Sequence, residues 1–200
     1  MPIIIAAASG TGKTSLVNAV VKADPHCVIS VSHTTRPQRP NEKNGVHYHF
    51  IDALAFNQLI GKHAFLEYAK VFDHYYGTSY QWVDEQLSLG KNVIFEIDWQ
   101  GARQIRQTLK DAVSVFILPP SLPILENRLR ERAQDNPAVI ARRMQQAKAE
   151  MSHYAEFDYV IVNNDFDKAT QDLLAAIQAA KLRTHVQQEN LKGLLQELLA

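Results

Sequence analysis

Short apolar runs recur along the chain, each bounded by polar or turn-forming residues and each followed by a stretch with helical spacing. The first covers residues 3–8, is rich in isoleucine, and ends at Ser9-Gly10-Thr11-Gly12. Apolar positions then fall at Leu16, Val17, Val20 and Val21, so the order is strand, loop, helix. Runs over 92–97 (NVIFEI), 112–118 (AVSVFIL) and 158–162 (DYVIV) repeat the pattern. Strands apolar on both faces and alternating with helices predict a parallel sheet covered on both sides, an α/β fold. Between residues 32 and 80 the texture changes. That stretch holds five of the eight histidines and the turn-rich RPQRPNEKNG, which predicts an inserted lobe of short antiparallel strands. A second polar interruption, over 130–137, splits two helical stretches and reads as a mobile flap. No internal repeat is visible.

Composition narrows the classes. The 200 residues, 46% hydrophobic and 21% charged, can bury a core and are not those of a disordered or fibrous chain. Lys+Arg and Asp+Glu both number 21, so no net positive field draws the chain to nucleic acid, and phosphate affinity has to come from local clusters. Cys27 is the only cysteine, which excludes an internal disulfide and a thiolate metal cage. The first residues lack a basic leader, and no apolar run approaches the ~18 residues that span a bilayer. A cytoplasmic setting without membrane partners is expected.

The strongest chemical signal is Ala7-Ala8-Ser9-Gly10-Thr11-Gly12-Lys13-Thr14, between the first strand and the first helix. Glycines there let backbone N–H groups turn inward around phosphate oxygens, and the helix N-terminus adds partial positive charge. Lys13, expected to face solvent, adds a full one, and the Thr14 hydroxyl can ligate Mg²⁺. Ala7 departs from the pattern, which begins with Gly. Alanine there costs on the order of 1 kcal/mol if φ is positive and almost nothing otherwise.

Further motifs follow in order: residues 30–40 (SVSHTTRPQRP), 44–50 (NGVHYHF), Phe65-Leu66-Glu67, Tyr75-Tyr76-Gly77-Thr78, 96–101 (EIDWQG), Pro119-Pro120-Ser121 and 160–163 (VIVN). In these the chain resembles the bacterial guanylate kinases over residues 1–181. The resemblance implies a P-loop nucleoside monophosphate kinase fold: a core (1–31 and 81–181), a GMP-binding lobe (32–80) and a lid (about 128–143); residues 182–200 lie beyond it and read from their spacing as an amphipathic helical extension. It implies Mg-dependent transfer of the ATP γ-phosphoryl group to GMP, and with it a place in purine nucleotide metabolism; dGMP is a possible acceptor. The loop from Ala7 to Thr14 corresponds to the family's ATP site, and Asn163 to a residue that contacts adenine, although an Asn there also suits a turn. Arg36 and Arg39, with the hydroxyls of Ser32, Tyr48 and Tyr76, match the acceptor-phosphate cluster. Glu67, Asp98 and Thr78 match the base-reading groups, as guanine's N1–H and amine require acceptors. Glu96, where relatives often carry Asp, is assigned with Thr14 to the metal. Arg128, Arg132 and Arg143 match the lid arginines that neutralise charge during transfer, with Ala133 standing where a hinge glycine is common.

Other features have plainer readings. His47 and His49 lack a third ligand and read as surface or loop residues. Trp82 and Trp99 read as packing residues, Arg130 and Arg142 as surface charges, and Cys27 as a small hydrophobe before the second strand. Leu191, Leu194, Leu195, Leu198 and Leu199 predict one apolar helical face, buried either on the chain's own core or against a second copy in a homo-oligomer. Two rival functions remain open at this point: an interaction module with weakened catalysis, which Ala7 favours, and a P-loop kinase for another small phosphorylated acceptor.

Overall fold

In the computed structural model, which describes residues 1–71, 73–132 and 137–200 and leaves aside the side chains of 132, 137 and 138, the isoleucine run forms β1 (Pro2–Ala7). The chain continues through α1 (Lys13–Ala23), β2 (Cys27–Ile29), β3 (His33–Thr34), β4 (His49–Phe50), α2 (Ala53–Gly61), β5 (Phe65–Val71) and β6 (His74–Ser79). It proceeds with α3 (Tyr80–Ser88), β7 (Asn92–Ile97), α4 (Trp99–Thr108), β8 (Val113–Leu118), α5 (Leu122–Arg132), α6 (Pro137–Met151), β9 (Tyr159–Val162) and α7 (Phe166–Lys181). Two short helices, α8 (Thr184–Asn190) and α9 (Lys192–Leu198), end the chain.

The core is a five-stranded sheet in the order β2-β7-β1-β8-β9 with every pairing parallel. Because successive side chains point to opposite faces, Ile3 and Ile5 pack on one side with Leu16, Val17 and Val20 of α1 and Leu173 and Ile177 of α7. Ile4 and Ala6 pack on the other side with Phe95, Phe116 and Ile105 of α4. Small residues at Ala169, Ala176 and Ala180 give α7 a narrow buried stripe, and Asp165 caps its start by accepting from the Lys168 N–H. Cys27 opens β2 rather than preceding it and is buried. Burial first, and then the neighbouring Asp24 carboxylate, push its thiol up to about 11.

The inserted lobe carries a separate sheet, β4-β3-β6-β5. It is mixed rather than antiparallel throughout, since β3 pairs with β4 in parallel and with β6 antiparallel. The 14 residues between β3 and β4 therefore have to travel back to the start of β3 instead of closing a hairpin, and they carry the Pro-rich loop with them. Phe56 of α2 packs on Phe65 and Tyr75 beneath this sheet.

One expectation changes at the end of the chain. The tail is two helices broken at Leu191, which closes α8 and precedes α9; Gly193 just beyond it lowers helix propensity, and the leucine face is not continuous. The middle of the polar interruption at 130–137, with Ala133, lies outside the described residues. Among the described residues no helix is long and apolar enough to cross a membrane.

If the β7 face is as described, Phe95→Ala, at a position with no exposed surface, lowers unfolding free energy in urea by about 3–5 kcal/mol. Leu198→Ala, at a position 69% exposed in the isolated chain, stays within about 0.5 kcal/mol measured under dilute conditions. Equal costs would contradict this placement.

Candidate active site

Everything in the cleft hangs on the C-terminal edge of the parallel sheet, where ligands bind in open α/β folds. β1 pairs with β7 so that Ala6 lies opposite Ile97. The loop after β1 therefore leaves the sheet level with Asp98. Ala7 is the last residue of β1 and does not have positive φ, so its methyl group introduces no backbone strain. Gly10 (φ 89) and Gly12 (φ 93) do occupy the left-handed region. A Cβ on Gly12 would also stand 2.4 Å from the Asn163 amide nitrogen.

The loop is held from behind. The Asn163 side-chain NH₂ donates to the Thr11 carbonyl at 2.7 Å, and Arg128 donates to the Thr11 and Asn163 carbonyls at 3.3 and 3.1 Å. Asn163, expected from the resemblance to contact adenine, thus has its buried amide engaged on the loop itself. Ala8 packs against Leu125, Leu129 and Ala147 of α5 and α6. Lys13, expected to face solvent, is half-buried and donates from Nζ to the Ile97 carbonyl at 2.9 Å. The strand register brings that carbonyl within reach, and an ammonium over a glycine loop has few other acceptors. The Thr14 hydroxyl donates to Glu96 Oε1. That oxygen-only pair, one residue from the loop and one from the neighbouring strand, suits a hard cation such as Mg²⁺ that keeps water and phosphate oxygens as its other ligands.

Across the cleft, Glu67 lies on β5 and is only 3% exposed. Its Oε1 accepts from the Thr78 hydroxyl at 2.5 Å, and the Thr78 and Ser32 hydroxyls lie 3.3 Å apart. Ser32, assigned from the resemblance to the phosphate cluster, thus joins this buried chain. The first turn of α4 comes so close that a Cβ on Gly101 would stand 2.8 Å from Glu67 Oε2. Burial, opposed by the Thr78 bond and reinforced by Asp98, raises the Glu67 carboxyl to about 7. Asp98 caps α4, with Oδ1 accepting from the Gly101 N–H at 2.9 Å and Oδ2 from Gln100 at 3.0 Å.

Arg36 lies over the Tyr48 and Phe50 rings, 5.4 and 5.8 Å from their centroids, and Tyr48 meets Tyr76 edge-on at 5.9 Å. Burial, with the Glu96 charge, pushes the Tyr48 phenol up to about 12. Arg39 is exposed beside this cluster. The residue that sequence reading missed here is Glu42: it pairs with Arg36 at 2.7 Å and accepts from the Arg39 N–H at 2.8 Å. A carboxylate two residues after an Arg-Pro turn reads as solvated surface charge, and only the loop's fold reveals its role. Arg143 is half-buried on α6, and the Arg132 side chain lies outside the described residues. Arg130 and Arg142 form exposed pairs with Glu126 and Asp73. His47 accepts from the Lys43 N–H, and His49 stacks on His33 at 4.7 Å.

The chain as a whole is similar to known proteins. The family model described as Guanylate kinase matches residues 1–180. The guanylate kinase of Aliivibrio fischeri is 54% identical over 199 residues, covering 98% of this chain and 96% of that protein. That of Methylococcus capsulatus is 54% identical over 196 residues with the same coverage. Among solved structures, the guanylate kinase from Anaplasma phagocytophilum superposes with a TM-score of 0.77 at 29% identity, covering 92% of this chain and 87% of that one. A gluconokinase from Sinorhizobium meliloti reaches 0.51 at 13% identity, over 93% of this chain and 96% of that one, a likeness of fold alone.

The buried Glu67 generates a pH test. Its folded value of about 7 lies above its ordinary 4.5, so the folded state holds the proton more tightly. The stability this gives is fully present below pH 4.5 and is lost as pH rises through 7, in total by about 3 kcal/mol. Glu67→Gln removes the titration, so in urea its stability relative to the parent rises by about 2 kcal/mol between pH 5 and pH 8. A difference that does not change with pH would show that Glu67 ionises in the folded protein as it does in water.

Proposed function

This chain belongs to the guanylate kinase family, and from that premise we propose how its residues carry out the family reaction, ATP + GMP to ADP + GDP. The enzyme is a nucleoside monophosphate kinase, an ATP:GMP phosphotransferase. The observation that carries the reading is the buried chain Ser32–Thr78–Glu67 facing Asp98, which sets two carboxylates able to accept hydrogen bonds on one side of the cleft. Guanine presents N1–H and an exocyclic amine on one edge, whereas adenine presents an acceptor at its N1, so acceptors select guanine. Guanine's donors also favour the ionised form of Glu67, which burial alone disfavours.

The division of labour follows from charge. Arg36 and Arg39, with the Tyr48 and Tyr76 hydroxyls, hold the acceptor phosphate; Arg36 exchanges Glu42 for it. The residues from Ala7 to Thr14 hold the donor, with Lys13 at its terminal phosphates. An oxygen of the GMP phosphate, already anionic, attacks the γ-phosphorus in line as the bond to the bridging oxygen breaks, so no general base is required. The protein's work is positioning and charge compensation. Arg128, Arg132 and Arg143 supply positive charge from the lid, Arg128 from a starting position that also holds the Thr11 turn. Asn163 holds the loop beneath the donor rather than reading adenine. Thr14 and Glu96 are the residues that hold Mg²⁺, which when bound offsets the negative charge of the donor phosphates.

We also place the enzyme in the cytoplasm, and we assign the tail to contact with a second copy. Leu194, Leu198 and Leu199 are 50, 69 and 83% exposed in the isolated chain, an apolar surface that a partner copy would cover.

ADP release is expected with ATP plus GMP and not with ATP alone or ATP plus AMP. Lys13→Ala lowers the rate by 10²-fold or more. Glu67→Gln weakens use of GMP by ~2–4 kcal/mol in kcat/KM while leaving ATP affinity, measured by calorimetry without GMP, unchanged. Loss of ATP affinity in that variant would count against the pocket. For the tail, deleting residues 186–200 lowers the mass seen by light scattering; an unchanged mass would return the leucines to the chain's own surface.

A further inference from the structure

The proposed reaction gives no part to Trp99 or His153. Trp99 is the first residue of α4, directly after Asp98, the cap of that helix. His153 lies two residues beyond the end of α6, the helix that carries Arg143. Their rings stack face to face, with centroids 3.7 Å apart and planes 12° from parallel. Glu156 fastens the stack from the side: its carboxylate meets His153 Nδ1 at 2.7 Å and takes Arg103 in a two-point grip at 2.7 and 2.6 Å. The Arg103 guanidinium in turn lies over the Trp99 ring, 4.5 Å from its centroid. Arg103 first, and then His153, hold the Glu156 carboxyl down at about 2, so it is an anion that only accepts and His153 Nδ1 carries the hydrogen. The residues that follow are tied to the core sheet. Phe157 meets Phe116 of β8 edge-on at 5.0 Å, and Asp158 Oδ2 accepts from the Ser114 N–H and hydroxyl at 2.8 and 2.7 Å. The four side chains therefore stand on the sheet, and α6 runs into them.

We infer that the Trp99–His153 stack, locked by Glu156 and Arg103, is the post that sets the tilt of α6 and so aims Arg143 at the transferring phosphoryl group. The inference rests on the reading of Arg143 as a lid arginine. Helix α6 is also packed on the core through Ala147, 1% exposed and set against Ala8, Leu125 and Leu129. Two such points fix the direction of a helix axis. Arg143 and Met151 stand four residues on either side of Ala147, ~6 Å each way. A shift of ~1 Å at the Met151 end, pivoted at Ala147, therefore moves Arg143 by ~1 Å in the opposite sense. Without the imidazole the Trp99 face loses its contacts, and the end of α6 tilts to close the gap. A misplacement of ~1 Å at a reacting centre costs on the order of 10²-fold in rate. Trp99 and His153 are thus positioning residues that act through Arg143.

The test is steady-state kinetics with ATP and GMP on the parent, His153→Ala, His153→Phe, Arg143→Ala and the double variant of His153→Ala with Arg143→Ala. His153→Ala is expected to lower kcat about tenfold or more while both KM values stay within about twofold, which reports that the nucleotide sites are folded. His153→Phe puts a flat ring back on Trp99 and is expected to bring kcat to within about threefold of the parent. In the Arg143→Ala background His153→Ala is expected to cost less than about twofold, because there is no guanidinium left to aim. Glu156→Gln keeps the shape and weakens the grip on both partners; it follows the same pattern with a smaller factor and serves where His153→Ala does not fold. An unchanged kcat in these variants, or a loss by the same factor with and without Arg143, would overturn the inference, the second result making the stack a support for the site as a whole. An Arg143→Ala variant with the parent's kcat would instead remove the lid reading of Arg143, and the inference with it.

Discussion

The parallel register between β1 and β7 is the constraint on which the site depends. With Ala6 opposite Ile97, the loop that follows one strand and the acids that end the other lie side by side. Lys13 reaches the Ile97 carbonyl and Thr14 reaches Glu96 because of that register alone. A slip of one residue would turn Glu96 towards the opposite face and carry Asp98 away from the loop. Fully buried isoleucines on both faces make such a slip prohibitive, so the core's packing is also what aligns the chemistry.

Around this frame the charged groups come in compensated sets. Arg36 has Glu42, and Lys13 has a backbone carbonyl. Cations gathered to hold two phosphates would repel one another in an empty cleft, and each would be poorly solvated among aromatic rings or loop backbone. Internal acceptors remove that penalty. On the proposed assignment a substrate phosphate replaces Glu42 at Arg36, so affinity there is a difference between two ion pairs. Selectivity benefits, because a ligand that lacks a phosphate has nothing with which to replace Glu42.

Much of the fold was legible because its signals are local. Ile3 to Ile5 announce a strand buried on both faces, and Gly10 and Gly12 flank a turn that only positive φ can make. Glu67 and Asp98 could be singled out by motif, but their state could not: Glu67 on β5 owes its raised carboxyl to burial beside Gly101 of α4, 34 positions away. Glu42 stayed hidden for the opposite reason. It sits in a polar stretch where a carboxylate ordinarily meets water, and nothing nearby in the chain marks it as facing a cation. Asn163 was placed correctly at a strand end, yet its partner is Thr11, 152 positions away. The tail's single leucine stripe failed at Leu191, two residues before Gly193, whose weak helix propensity works against a continuous helix.

Cys27 has a consequence for how the moving parts can be watched. Its thiol is shut beneath α1 and raised to about 11, so at neutral pH fewer than about one molecule in a thousand carries the thiolate that alkylating reagents attack. The natural chain is therefore almost silent to maleimides and iodoacetamides without any substitution. A cysteine introduced on the exposed surface of the inserted lobe, and another on α6, would be the only fast-reacting thiols in the protein. Dye pairs or spin labels can then be attached to both sides of the cleft while the core sequence stays as it is.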